Sequence, residues 1–146
     1  MTFPVTIACG KNNTRSLVTR RGQLIVAPLD YSEFYTATTV SNNVPVNVIS
    51  PRTGLNFAIT DIILSGDRSI GANGAVVQVY ENSNGPTDST ITKLIYADEI
   101  ARQTRAVLTG LNIIVSPARW VNVVSDDVQV RANIAGYYLP NGQENT

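Results

Sequence analysis

Val128-Gln-Val-Arg-Ala-Asn-Ile-Ala-Gly-Tyr-Tyr-Leu139 decides the fold. Val128, Val130, Ala132, Ile134, Gly136 and Tyr138 alternate with Gln129, Arg131, Asn133, Ala135, Tyr137 and Leu139, which is the period of a half-buried strand. A slip of one residue would bury Arg131 and expose Val130 and Ile134, so the register is expected to be tightly set. The rest of the chain must supply sheet for this strand to pair with and a second layer to cover its apolar face.

The preceding sequence reads the same way. Short runs rich in β-branched and aromatic residues recur at Leu24–Ala27, Phe34–Val40, Val44–Ile49, Leu55–Ser65, Ala75–Glu81, Thr90–Tyr96, Leu108–Val115 and Arg119–Val124. Turn signals separate them: Asn42-Asn43, Pro51-Arg-Thr-Gly54, Gly66 to Gly74, the loop around Gly85-Pro86, and Asp126-Asp127. Pro45 assigns its run to a sheet edge. Phe57 and Ile59 share one parity while Ile62 and Leu64 share the other, which predicts a bulge near Thr60-Asp61 or a strand covered on both faces. Gly110 predicts a kink or tight bend in its run. Only Ala97 to Thr104 has reasonable helix propensity, and one short helical turn is expected there. Trp120 is expected at the core or its rim, and Tyr137 on the side facing away from it. Many short strands with almost no helix point to an all-β chain, an antiparallel β-sandwich of jelly-roll type.

A chain of 146 residues is long enough for one such core without disulfides or metals. Charged residues make up 15%, against about 25% in a typical soluble domain, which favours a subunit of an assembly. Cys9 has no second cysteine to pair with. No apolar run approaches the ~18 residues of a membrane helix, and Met1-Thr-Phe-Pro lacks the features of a signal peptide, so synthesis in the cytoplasm is expected. Net charge is zero but divided: Lys11, Arg15, Arg20 and Arg21 precede the first acid, Asp30. Residues 1–21 therefore read as an extended basic arm, residues 22–140 as the sandwich and residues 141–146 as a polar tail. The arm's four cations are candidates for docking on an acidic partner.

Signals for catalysis are weak. Absence of histidine removes the commonest general base and with it Ser-His-Asp and Cys-His mechanisms. The acid pairs Asp98-Glu99 and Asp126-Asp127 put neighbouring side chains on opposite sides of a strand or in a turn, and no metal or cofactor is expected at them. Gly71-Ala-Asn-Gly74 lacks the lysine of a phosphate loop and reads as a turn. Phe3 is the arm's one aromatic ring, too little stacking surface for a dedicated nucleic-acid binder. Six tyrosines are available for interface or sugar contact, of which Tyr137 is the candidate surface residue.

Taken together, Thr19-Arg-Arg-Gly-Gln-Leu-Ile-Val-Ala-Pro-Leu-Asp-Tyr31, Phe57-Ala-Ile-Thr-Asp-Ile-Ile-Leu64, Val77-Gln-Val-Tyr-Glu81, Leu108-Thr-Gly-Leu-Asn-Ile-Ile-Val115, Trp120-Val-Asn-Val123 and Ile134-Ala-Gly-Tyr-Tyr138 resemble the small jelly-roll virion proteins of tailed bacteriophages, above all head decoration or cement proteins. The resemblance covers about residues 17–140 and lies in framework strands. It implies a non-enzymatic subunit on the outer capsid, a homotrimer that clamps neighbouring major capsid proteins. Related sandwiches serve as tail, fibre or receptor-binding parts, so a glycan-binding module is the alternative.

Overall fold

The computed structural model describes residues 7–8, 15–16, 33–38, 43–127 and 129–140. The chain divides into two compact units, Met1–Tyr31 and Ser32–Thr146. In the first, β1 (Ile7–Ala8) and β2 (Arg15–Ser16) pair antiparallel, with Ile7 opposite Ser16 and Ala8 opposite Arg15. The expected run at Leu24–Ala27 lies outside the described residues.

The second unit is an all-β sandwich. Its strands are β3 (Glu33–Thr38), β4 (Val46–Ile49), β5 (Leu55–Gly66), β6 (Ala75–Asn82), β7 (Lys93–Ile100), β8 (Arg105–Leu108), β9 (Ile113–Ile114), β10 (Trp120–Ser125) and β11 (Val130–Pro140). One sheet has the order β4-β10-β6-β7 and the other β3-β11-β5-β8, with β9 also paired to β5; every pairing is antiparallel. Four of these pairings are nested about the β6–β7 connection: β6 with β7, β5 with β8, β4 with β10, and β3 with β11. The core between the sheets is built from Phe57, Ile59, Ile62, Leu64, Val130, Ala132 and Ile134 on one side and Ile49, Val77, Val79, Val121 and Val123 on the other.

Strand β11 holds its expected phase. Val130, Ala132 and Ile134 are fully buried while Arg131 is exposed. Its partner β5 reaches the core through a change of parity. Ile62 faces Ile134 and Asp61 faces Ala135, but the next pair is Ile59 with Gly136, so Thr60 is the extra residue of a bulge. The bulge turns Phe57 and Ile59 to the same buried side as Ile62 and Leu64. It also leaves the Thr60 carbonyl to accept the Leu111 amide at 2.8 Å. As Pro45 implied, β4 is a sheet edge. Trp120 opens β10 half-buried; it pairs with Asn82 and alternates with core-facing Val121, which puts it on the outer face of its sheet and not at the core or its rim as expected.

Three further expectations need correction. Ala97 to Ile100 form no helical turn: they continue β7, pairing with Gln78, Val77, Val76 and Ala75. Asp98 is half-buried and Ile100 buried while Ala97 and Glu99 are exposed, so two-residue alternation and cross-strand pairing override a modest helix propensity. The expected strand at Thr90–Tyr96 starts only at Lys93. Leu108–Val115 is not one strand either. Leu108 ends β8, Gly110 at φ 67° turns the chain, and only Ile113–Ile114 pairs again with β5.

Candidate functional site

Three of the four acids that sequence brings to notice, Asp98, Asp126 and Asp127, are engaged in holding the backbone. Asp126 accepts the Val76 amide at 2.7 Å and Asp127 accepts the Gly71 amide at 2.8 Å, which ties the 66–74 loop to the turn before β11. Gly71 to Gly74 is a turn, closed by the Gly74 amide on the Gly71 carbonyl at 3.1 Å. Asp98 accepts the Tyr96 hydroxyl at 2.6 Å and the Glu99 amide at 2.8 Å. That phenol is pushed up to about 12, chiefly because its proton is donated to the Asp98 carboxylate, with burial adding to the effect. Among the described residues no three His, Cys, Asp or Glu side chains gather as metal ligands. Cys9 lies outside them.

The loop after β6 is pinned to the sheet that precedes it. Tyr80, Asn82 and Asn122 alternate with core-facing Val79, Glu81 and Val121, so they point to the outer face of the four-stranded sheet, yet all three are fully buried. Residues 83–92 fold back over them. The Tyr80 hydroxyl donates to the Asp88 carbonyl at 2.8 Å, and the Asn82 amide donates to the same carbonyl at 2.7 Å. The Asn122 amide donates to the carbonyls of Gly85 (3.1 Å) and Asp88 (3.3 Å), while its own oxygen accepts the Asn47 amide at 3.1 Å. In the other direction, the amides of Asn84 (2.6 Å) and Gly85 (3.0 Å) donate to the Asn82 side-chain oxygen. The result is a rigid loop that exposes Ser83, Asn84, Pro86 and Thr87.

Asp88 closes this loop with its carboxylate. Hydrogen bonds from Thr90, side chain first and then the amide at 2.7 Å, with others from Asn82 and Asn84, hold its pKa below the ordinary carboxylate value. A depressed folded pKa means that this contribution to loop order is complete above the unfolded value and is lost as pH falls through the folded one. The Thr90 amide is therefore expected to keep its hydrogen-bonded chemical shift at pH 5 and to lose it on acidification below the usual Asp range. Asp88→Asn should remove that pH dependence; an acid transition that persists in the variant would assign it to another group.

At the same end of the sandwich, Tyr138 sits between two neighbours. Its ring meets Phe57 edge-on, with centroids 4.9 Å apart and planes at 72°, and the Arg52 guanidinium lies 4.0 Å above its centre. Its hydroxyl donates to the Ser50 carbonyl at 3.1 Å. Tyr137, the candidate read from sequence, is half-buried opposite Ala58 on the outward side. Nearby Glu81, 1% exposed, accepts the Lys93 ammonium at 3.2 Å and the Ser116 amide at 3.2 Å.

Of the arm's candidates, Lys11, Arg20 and Arg21 lie outside the described residues, and Arg15 holds the register position opposite Ala8 in β2. A second group of cations gathers at the opposite end of the sandwich, where sequence reading did not place one. Arg131 pairs with Ser65 and Ser65 with Arg105, so two exposed arginines flank one serine across three adjacent strands. Arg102 lies in the β7–β8 turn, whose Thr104 carbonyl accepts the Gly66 amide at 2.9 Å, and Arg68 follows in the next loop. Among the described residues the only ion pair is Lys93 with Glu81, so none of these four arginines forms an ion pair there. Alternation places Arg131 on the solvent side, but Arg105 falls between the stretch read as a helical turn, Ala97 to Thr104, and the run that begins at Leu108, and cross-strand register is not a local signal. No protein-family model and no curated protein sequence matches the chain.

Proposed function

We propose that this chain is a structural jelly-roll subunit that decorates the outer surface of a phage head and stabilises contacts between major capsid proteins as a closed trimer. The observation that carries the reading is the nested pairing of β3/β11, β4/β10, β5/β8 and β6/β7, rolled into two facing sheets. That order is the one two Greek keys give a jelly roll, an architecture that serves capsid and lectin domains. Asp98, Asp126 and Asp127 are committed to backbone amides or to neighbouring side chains, which supports a scaffold role. A stacking site for a sugar gains little support from Tyr138, because Arg52 occupies one face of its ring. The trimeric number and the capsid come from the family resemblance.

The arm with Lys11, Arg15, Arg20 and Arg21 is the proposed docking element, and its attraction to an acidic capsid surface would weaken as salt rises over a screening length of about 8–10 Å. Deleting residues 1–16 is expected to abolish co-sedimentation with heads while the Ser32–Thr146 unit, which has its own core, keeps its unfolding transition. Truncated protein that attaches as tightly as the full chain would remove the arm from this role.

A further inference from the structure

The outward face of the five-stranded sheet sets aliphatic side chains beside its arginines. Arg131, Ser65 and Arg105 form one cross-strand row, and the next row on the same face is Asn133, Ile63 and Val107. Strand spacing sets the two arginine Cα atoms about 10 Å apart, within reach of one carboxylate above Ser65. Val107 is 54% exposed, the most of any large apolar side chain among the described residues. Cations and aliphatic surface therefore lie side by side on a rigid sheet.

We infer that this face of β5, β8 and β11 is a docking surface for an acidic, carboxylate-bearing protein segment. Charge complementarity supports an acidic occupant. Arg68 and Arg102 extend the positive region, so four arginines outnumber Asp67, which lines the hollow beside Arg131 and accepts the Ser69 amide at 3.2 Å. Arginine holds a carboxylate through two parallel hydrogen bonds, and it is enriched, with apolar neighbours, at the centres of protein interfaces. A nucleic-acid surface would need rings for base stacking. Neither row supplies one: its members are arginine, serine, asparagine, isoleucine and valine. A shallow hollow beside Arg131, lined by Ser65, Gly66, Asp67 and Gln129, gives the occupant a polar rim.

The inference rests on the reading that the sandwich docks on protein, and it names a surface other than the arm. Its test uses the full chain with poly-L-glutamate as probe and oligothymidylate at matched charge as competitor. Poly-L-glutamate is expected to bind in a salt-dependent way, and Arg105→Glu with Arg131→Glu to weaken it about tenfold or more, with an unchanged thermal transition. If that pair misfolds, Arg105→Gln with Arg131→Gln serves the same purpose and should weaken binding in the same direction. Unaltered glutamate binding in the folded variant, or tighter binding of oligothymidylate through the same two arginines, would overturn the inference. Head attachment without glutamate binding leaves the decoration role standing and removes this surface; glutamate binding without head attachment does the reverse.

Discussion

Gly136→Ala is expected to lower the unfolding free energy by about 3 kcal/mol, at the upper end of what overpacking a core costs. Gly136 stands where β5 bulges and β11 does not, opposite Ile59 and one residue beyond the Ala135–Asp61 pair. A methyl group there would run into the carbonyl oxygen of Ala58 and lie 2.6 Å from Cε1 of Phe57. Trimming Phe57 does not relieve the clash, because the carbonyl belongs to the backbone of the paired strand. The same two strands present Ile59, Ile62 and Ile134 to the core, so displacement would propagate into the best-packed part of the sandwich. Urea unfolding checks this, with a lower midpoint at unchanged slope. A loss under about 1 kcal/mol would mean that β11 can move off β5 at the bulge without cost.

Asn122→Ala is expected to cost about 3 kcal/mol, through polarity rather than volume. It removes a donor to two carbonyls, Gly85 and Asp88, and an acceptor for the Asn47 amide, at a position with no solvent exposure. Each buried group deprived of its partner costs about 1–3 kcal/mol, partly recovered where the others rearrange. Asn84→Ala is the matched control, because Asn84 is exposed and its amide reaches Asp88 at only 3.4 Å; its cost should stay under about 0.5 kcal/mol. Hydrogen exchange should show lost protection in residues 83–92 of Asn122→Ala. Protection retained there would assign the loop's order to Tyr80 and Asn82 alone.

How much of this was legible follows from how local each signal is. Alternation along β11 gave its buried face, and the parity break between Ile59 and Ile62 narrowed β5 to a bulge or a strand covered on both faces, because both signals are written within a dozen residues. The continuation of β7 through Ala97–Ile100 was not legible, since its cause is pairing with Ala75–Gln78, some twenty residues away. The candidate surfaces show the same division. Tyr137 and Tyr138 could be assigned to opposite faces from their spacing, but the partners Arg52 and Phe57 that occupy Tyr138 come from distant segments. Asn47 and Asn122 each read as an ordinary polar strand residue, and Asn82 as the start of a polar loop. Only the sheet order β4-β10-β6 brings them side by side, and only the returning loop explains why they are buried.

A low charge fraction, and arginines that form no ion pair among the described residues, support the proposal of a subunit that docks on other proteins. Closed cyclic symmetry is the usual way that soluble homo-oligomers do so. The most direct measurement is the molar mass of the purified full chain at micromolar concentration, by light scattering on a sizing column. The account predicts three times the 15.7 kDa of one chain; a mass of 15.7 kDa that does not change with concentration would contradict it.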